Sequence, residues 1–400
     1  MLTTFRSTPI FRASLAAVAG LLGASAAHAV DWTGYMRGGP AATNVSGESR
    51  QCYGLASPGL KYRLGNECDF YGEFQLAQAM KADGVDFNAV LMTNFYSPQS
   101  ETNHDYGIEQ AYVEMKGVDI APQALFWMGK RRDRDDVHIV DTFFSNMSGV
   151  GAGVENLDAG FGKFGFSGYK TDTNGGANGI ARIHAQLYDI AVNPDGKLRL
   201  VATVSKADSQ GGAKGQSGYG FTAEHVQDKF FGGGNHIWVQ YASGSTNINQ
   251  GFGTATADSS TKTWRVVESP SWQVGSFGGQ ALVSYQHDTK IVGVNGLGTN
   301  DWDSFTIGGR GSFGLTKNLK WLTEIGYSSR KPKGGSSENL TKITIGPALS
   351  TGPDFWKRPE LRLYATYADF NKAAATDSLN GLPSGKTNAL SYGAQLEIWF

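Results

Sequence analysis

The chain contains 400 residues, of which 54 are glycine and 12% are aromatic, and it carries a formal net charge of −1. This charge balance argues against a nucleic-acid-binding protein, which needs a basic surface. With only 12 prolines, a linker-rich protein is also disfavoured. Abundant glycine and aromatic residues instead favour short strands joined by many turns.

The first 29 residues have the features of a signal peptide. Arg6 and Arg12 precede an alanine- and leucine-rich run at 13–27, and residues 27–29 (AHA) match a signal-peptidase site. The run is too short and too rich in small residues for a good membrane-spanning helix. We therefore expect an exported protein whose mature part, 30–400, is one domain, because no shift in composition marks a second.

Strand-like alternation of polar and apolar residues begins near residue 31 and recurs to the end of the chain. It is clearest at 31–37, 69–80 and 358–368, where one face is polar or charged and the other apolar. Segments of about 10 residues give between 14 and 18 strands, as in an antiparallel membrane barrel. A soluble β-sandwich or β-helix fits the alternation too, but explains neither the leader nor the final strand as well.

The last strand is the most informative segment. From Leu390 to Phe400 the even positions are apolar, whereas the odd positions include Gln395, Glu397 and Trp399. This pattern indicates a strand with lipid on one side and water on the other. A large aromatic ring that faces water needs a reason, and stacking on a sugar ring is a good one.

Cys52 and Cys68 lie in a polar, loop-like stretch with 15 residues between them. In an exported protein such a pair is expected to form one disulfide that closes a loop. A metal site built on two lone cysteines is the poorer alternative.

Four aromatic residues share a strand face with charged residues. They are Tyr35, Tyr71, Trp356 and Trp399. Such rings could line a wet channel and hold the apolar faces of sugars. The alternative is an ordinary aromatic belt at the membrane interface. Four rings beside charges favour the lumen.

Charged residues form a second candidate set. Arg37, Arg63 and Glu73 lie on strands or at their edges, and a dense mixed-charge run occupies 130–138, followed by Asp141. Arginine and carboxylate pairs across a constriction can bind vicinal hydroxyls. A solvated loop is an equally good interpretation of the run.

Other chemistry finds little support in the sequence. A metal site from Asp133, Asp135, Asp136 and His138 lacks a recognised ligand spacing, and no cofactor is expected. The 7 histidines do not pair with a serine and an acid. An outer-membrane lipase or protease would need a nucleophile with a base beside it. No such pair is visible in the sequence, so we do not expect an enzyme.

Several stretches together resemble the maltoporins, the sugar-selective trimeric porins of Gram-negative outer membranes. The most specific are 61–68 (KYRLGNEC) and the Asp-Val-His sequence within 136–141. The others, in family order, are 30–37, 129–131, 148–156, 160–163, 221–225, 239–242, 358–359, 365–368 and 395–399. The resemblance implies an all-β, 18-stranded transmembrane barrel, a homotrimer in outer-membrane lipid, and facilitated diffusion of oligosaccharides or disaccharides.

The resemblance also assigns roles to individual residues. The family's aromatic slide would fall on Tyr35, Tyr71, Trp356 and Trp399. Its polar track would fall on Arg37, Arg63, Glu73, Asp136 and Asp141, with Arg134 less securely aligned. Cys52 and Cys68 match the disulfide of the family's first loop.

The chain departs from the family pattern at several of these positions. A slide tryptophan has no counterpart in 96–106, where Tyr96 or Tyr106 could substitute, and a slide phenylalanine aligns with Gly234, near Phe230 and Phe231. A track arginine aligns with Glu109, and a constriction tyrosine aligns with Phe143, without its hydroxyl. We therefore expect a sugar channel that is wider or less selective for maltodextrins. A general diffusion porin on the same barrel is the alternative.

Overall fold

The computed structural model describes residues 30–98, 105–140, 142–171, 179–209, 214–291, 300–377, 380, 382 and 385–400. The predicted signal peptide and Asp141 lie outside these residues. No helix in the described part of the chain has the length and apolar character needed to cross a membrane. A short helix spans Lys372–Thr376.

Strands make up most of the described chain. They are β1 (Asp31–Gly38), β2 (Ala41–Thr43), β3 (Phe70–Ala82), β4 (Val85–Ser97), β5 (Asp105–Lys116), β6 (Leu125–Arg131), β7 (Arg134–Asp136), β8 (Phe143–Asn146), β9 (Gly149–Asp158), β10 (Lys163–Lys170), β11 (Ile180–Asn193), β12 (Gly196–Ala207), β13 (Ser217–Phe230), β14 (Gly233–Gly244), β15 (Lys262–Val274), β16 (Phe277–Ile291), β17 (Asn300–Gly314), β18 (Leu319–Pro332), β19 (Glu338–Ser350), β20 (Glu360–Phe370) and β21 (Asn388–Trp399).

The strands close into an antiparallel barrel. From β3 to β6 and from β9 to β21, each strand pairs with the next along the chain, and β6 pairs with β9. β1 pairs with both β3 and β21, which closes the sheet. Because β2 continues the edge of β1 along β21, and β7 and β8 form a separate hairpin, the described wall has 18 strands. The predicted all-β barrel of 18 strands is confirmed.

The wall follows the predicted alternation. In β20, Leu361 and Leu363 are 55% and 61% exposed on the outside, whereas Glu360 and Arg362 are each 2% exposed and point inward. Apolar side chains on the outer face can contact lipid. The closed sheet also pairs its backbone polar groups between strands, as a membrane-spanning segment requires. The lumen therefore receives the polar half of each strand.

The two ends of the barrel differ. At one end, two-residue turns follow β3, β11, β13 and β15, and two longer connections, 117–124 and 351–359, also lie there, whereas most connections at the other end are longer than these tight turns. Asp83 and Gly84 both have positive φ, 49° and 85°, as the tight hairpin turn after β3 requires. Short turns at one end and long loops at the other are typical of outer-membrane barrels.

Two long connections fold into the lumen. The first inward loop, 44–69, docks on β18 and β19, where the Leu64 amide donates to Glu324 and Lys342 donates to the Leu64 carbonyl, at 2.9 and 2.7 Å. Cys52 and Cys68 form a disulfide within this loop, with their Cα atoms 6.0 Å apart. The predicted disulfide is therefore present.

The second inward loop, 132–148, contains the β7–β8 hairpin. Its Val140 forms a β-bridge with Tyr62 of the first inward loop, and Gln240 of β14 donates to the Phe144 carbonyl at 2.6 Å. Val137, Ile139 and Phe144 are buried in the same apolar cluster as Tyr62. The two loops thus support each other and narrow the lumen.

Candidate functional site in the barrel lumen

The aromatic residues chosen from sequence lie along one side of the lumen. The Tyr35 and Tyr71 ring centroids are 6.3 Å apart across β1 and β3, and those of Trp356 and Trp399 are 6.5 Å apart. Trp356 comes from the connection 351–359, at the short-turn end of the barrel, and is 42% exposed. Because Tyr35 and Trp399 are register partners, the two pairs follow one seam of the wall.

His138 joins this seam from the second inward loop. Its ring lies 5.5 Å from both Trp356 and Trp399, and its Nε2 is 3.0 Å from Arg358 and 3.3 Å from Arg310. Burial lowers the pKa of His138, and the two guanidiniums lower it further, against the attraction of Glu397. The neutral ring therefore accepts hydrogen bonds from both arginines. The sequence alone indicates no role for His138 beyond a poorly supported metal site.

Behind the rings runs a chain of ion pairs. Arg37 pairs with Asp69 and with Glu67, at 2.6 and 2.9 Å, and Arg63 pairs with Glu67 at 2.6 Å. Although burial alone would raise it, the guanidiniums of Arg63 and Arg37 hold the pKa of Glu67 below its usual range. The predicted Arg37 and Arg63 are thus neutralised by loop carboxylates that the sequence analysis did not single out.

Glu397 continues the chain of ion pairs into β21. It accepts from Arg358 and Arg362 at 3.0 and 3.2 Å, and from the Tyr35 hydroxyl at 3.1 Å. The same Tyr35 hydroxyl receives a hydrogen bond from Arg63 at 2.8 Å. Glu397 therefore connects Tyr35 to the buried arginines of β20 and the 351–359 connection. Its position on the inward face of β21 was predictable, but these partners were not.

A second group of charges narrows the lumen beside Tyr71. Arg132 binds Glu73 through both terminal nitrogens, each at 2.7 Å, and Glu109 at 2.9 Å. Arg134 lies 3.6 Å from Glu73, and its guanidinium stands 4.2 Å from the centroid of the Phe143 ring. Four predicted constriction residues, Glu73, Glu109, Arg134 and Phe143, are thus brought together, whereas Arg132, which binds both glutamates, was not predicted.

The side chains of the mixed-charge run lie in two parts of the lumen. Arg132 and Arg134 lie against Glu73, whereas Asp133 and Asp135 line a cavity of about 470 Å³, which we call the second chamber. Arg131 and Arg132 also contribute to its lining. There Arg199 lies 2.9 Å from Asp135 and 3.6 Å from Glu224. Burial, and then the nearby Glu224, raise the pKa of Asp135 to about 6. The run is therefore a wall of the lumen and not a solvated loop.

The remaining predicted positions lie partly in the lumen and partly on the outer face. Asp136 is exposed and lies opposite Phe143 in the hairpin, at the edge of the constriction. Tyr96 pairs in register with Tyr71 and shares its lumen face, whereas Tyr106 pairs with Phe95 on the outer face. Of the two tyrosines, only Tyr96 can extend the row of rings.

The structure provides neither a ring at Gly234 nor a metal site among the described residues. Gly234 contributes no ring to the wall, and Phe231 is exposed in the turn between β13 and β14. Among the described residues, no three His, Cys, Asp or Glu side chains come together in an arrangement that could hold a metal ion.

The chain is similar to one protein family and to several solved structures. A family model described as LamB porin matches residues 30–400. OpdQ of Pseudomonas aeruginosa is 7% identical, covers 94% of this chain and 99% of its own, and has a TM-score of 0.51. Salmonella typhi OmpF, in complex with daunomycin, is 10% identical over 92% and 97% of the chains, with a TM-score of 0.48. Wzi of Escherichia coli, titled a carbohydrate-binding β-barrel, is 12% identical over 99% and 90%, with a TM-score of 0.48.

Proposed function

Because the chain belongs to the LamB porin family, the maltoporin family of diffusion channels in the Gram-negative outer membrane, we propose that it conducts sugars along the aromatic side of its lumen. The family and the fold point to a channel and not to an enzyme. The substrate class that we propose is neutral oligosaccharides or disaccharides, with maltodextrin-like sugars as the first candidates. The single observation that carries this proposal is the row of rings beside a continuous set of paired charges.

The rings would bind the apolar faces of a pyranose. Tyr71, Tyr35, Trp399 and Trp356 follow the seam between β3 and the 351–359 connection. Aromatic contacts contribute about 0.5–1.5 kcal/mol each beyond the area they bury. Several such contacts correspond to binding in the millimolar range or somewhat tighter, which allows release as well as entry.

The charges would bind the sugar hydroxyls. Arg37, Arg63 and Glu73 present nitrogen donors and oxygen acceptors at the edge of the rings. Charge-assisted hydrogen bonds are stronger than neutral ones, and a guanidinium can serve two acceptors at once. A hydroxyl pair could therefore bind without fully breaking an ion pair.

Two observations favour the alternative of a general diffusion porin. The predicted track residues already pair with one another, as Arg37 does with Asp69 and Glu67, so a sugar must compete for them. The absence of a ring at Gly234 also shortens the row. In this alternative, solutes pass by size, and no sugar saturates the channel.

Sugar block of ion current separates the two functions. The mature chain, purified and inserted into planar bilayers, is titrated with maltose, maltotriose, sucrose and raffinose while single-channel conductance is recorded. Saturable block by one sugar class, with current steps in threes, is expected for the selective trimer. Large steps without block by any of the four sugars would reject the sugar-channel proposal.

Two further parts of the proposal have tests of their own. We propose that residues 1–29 are removed on export, so that the mature chain begins at Val30, and that three copies assemble. Mass spectrometry of the native outer-membrane protein gives the first residue. Light scattering in detergent gives the number of copies.

A further inference from the structure

Arg132, in the second inward loop, bridges two strands of the wall through its side chain. Its guanidinium binds Glu73 of β3 and Glu109 of β5, with nitrogen–oxygen distances of 2.7–2.9 Å. Its side chain is 12% exposed, and Asn94 of the intervening β4 donates to Glu109 at 2.6 Å. One cation thus serves two carboxylates from different strands.

The backbone of Arg132 is held in place independently of its side chain. Its amide donates to the side-chain oxygen of Gln110 at 3.0 Å, and the Gln110 amide group donates to Gln75 at 2.8 Å. Gln110 and Gln75 lie on β5 and β3, the same strands that supply the two carboxylates. The guanidinium therefore starts from a fixed point on the wall.

Arg132 also reaches an aromatic ring of the proposed sugar path. The Tyr71 hydroxyl donates to Glu73, and the Arg132 guanidinium lies 3.4 Å from that hydroxyl oxygen. The bidentate pair fixes the Glu73 carboxylate, and the carboxylate in turn fixes Tyr71. Since the Tyr71 and Tyr35 centroids are 6.3 Å apart, a shift of Glu73 would change the spacing of the rings.

The charge of this cluster depends on the same residue. Arg132 and Arg134 balance Glu73 and Glu109, so the four groups are together neutral. Without Arg132, only Arg134 remains near Glu73, at 3.6 Å, and Glu109 would retain Asn94 as its partner. An unbalanced carboxylate at a narrow point of a pore attracts cations and repels anions.

We propose that Arg132 is a specificity-determining residue of the constriction. Its charge sets the ion preference of the pore, and its forked guanidinium positions Tyr71 for sugar. The second half rests on the proposed sugar function, whereas the first half applies to either kind of porin.

Three single variants separate charge from geometry. Arg132→Gln removes the charge, and Arg132→Lys keeps the charge but cannot form the planar two-nitrogen fork. Arg131→Gln is the matched control: Arg131 pairs with Glu155 at 2.6 and 3.1 Å, faces the second chamber, and is 16% exposed. It removes the same charge from the adjacent residue without touching Glu73.

Each variant is inserted into bilayers, and two quantities are measured on the same channels: reversal potential in a potassium chloride gradient, and the dissociation constant for block by maltotriose. Arg132→Gln is expected to shift the reversal potential toward the equilibrium potential of potassium, because the pore becomes more cation-selective. It is also expected to weaken sugar block about tenfold. Arg132→Lys is expected to keep the wild-type reversal potential and to weaken block nearly as much. Arg131→Gln is expected to leave block within about twofold of wild type.

The outcomes decide each half of the proposal separately. An unchanged reversal potential in Arg132→Gln overturns the charge half. Wild-type block in Arg132→Lys, or an equal loss in Arg131→Gln, overturns the positioning half. If the wild-type channel is blocked by no sugar, the proposed sugar function and the positioning half both fail. The reversal potential of Arg132→Gln still decides the charge half in that case.

Discussion

Tyr35 on β1 and Trp399 on β21 are register partners at the seam that closes the barrel. The first and last strands of the chain must therefore pair correctly before the row of rings exists. The Tyr35 hydroxyl donates to Glu397, two residues before Trp399, so the same contact that joins the two ends of the chain also orients a ring of the proposed sugar path. Closure of the barrel therefore places two rings of the proposed sugar path side by side.

Removing the Trp399 ring should weaken sugar block. Trp399 lies between Trp356, His138 and the Arg358 guanidinium, which stands 4.2 Å from the centroid of its ring. Trp399→Ala is expected to raise the dissociation constant for sugar about 2–10-fold, which corresponds to one aromatic contact. Tyr392→Ala, on the outer face of the same strand, is the control and should leave block unchanged. Equal block in wild type and Trp399→Ala would contradict the stacking role.

Neutralising Glu397 should destabilise the barrel. Glu397 is 1% exposed and pairs with Arg358 and Arg362, which are also buried. Glu397→Gln leaves these guanidiniums without one of their carboxylates, and breaking a buried pair costs about 3–5 kcal/mol. The midpoint of thermal unfolding in detergent, followed by circular dichroism, should fall. Glu48→Gln, at an exposed carboxylate, should leave the midpoint within error; a similar fall in both variants would contradict this interpretation.

Removing the disulfide should loosen the first inward loop more than the wall. The Cys52–Cys68 bond closes a loop of about 15 residues, for which the loss of stability is on the order of 3 kcal/mol. In the Cys52→Ser, Cys68→Ser double variant we expect a lower unfolding midpoint and noisier open-channel current. The strand content by circular dichroism should stay at the wild-type level. Quiet, wild-type current would show that the docking of Leu64 on β18 and β19 is sufficient to hold the loop.

Asp135 should make the pore respond to pH near 6. Its pKa is raised by burial to about 6 in the folded protein, above its unfolded value near 4. The folded state therefore binds more protons between these values, so this group's contribution to stability is present below pH 4 and is lost as pH rises through 6. Over the same rise the second chamber gains negative charge.

Reversal potentials measured from pH 5 to pH 7 test this titration. Cation preference should increase with pH in the wild type, and Asp135→Asn should remove that step. Persistence of the full step in Asp135→Asn would assign it to another group.

The outer surface and the strand faces were predictable, whereas the partners within the lumen were not. Leu361, Leu363 and their inward neighbours follow a period of two that is independent of any distant residue. Arg132 and Glu73 are 59 positions apart, and Tyr35 and Glu397 are 362 apart, so no local pattern connects them. The sequence showed which side chains enter the lumen but not which ones meet there.

The inward loops were the main source of the missed contacts. From sequence, the run at 130–138 fits a solvated loop as well as a constriction, because its charges are compatible with both. Its place was decided by apolar residues further along, Val137, Ile139 and Phe144, which bury against Tyr62 of the other loop. The two inward loops therefore share one apolar cluster, which holds both of them in the lumen.

The chain of ion pairs behind the rings has a consequence for the speed of passage. Arg37 pairs with two carboxylates of the first inward loop, Glu67 and Asp69, and its side chain is 14% exposed. A guanidinium placed between equivalent acceptors can exchange one for a passing hydroxyl with little change in energy. For the sugars that we propose as solutes, the free-energy profile along this wall would be shallow, with low barriers between successive positions. Such a wall would favour rapid passage of a sugar over tight binding.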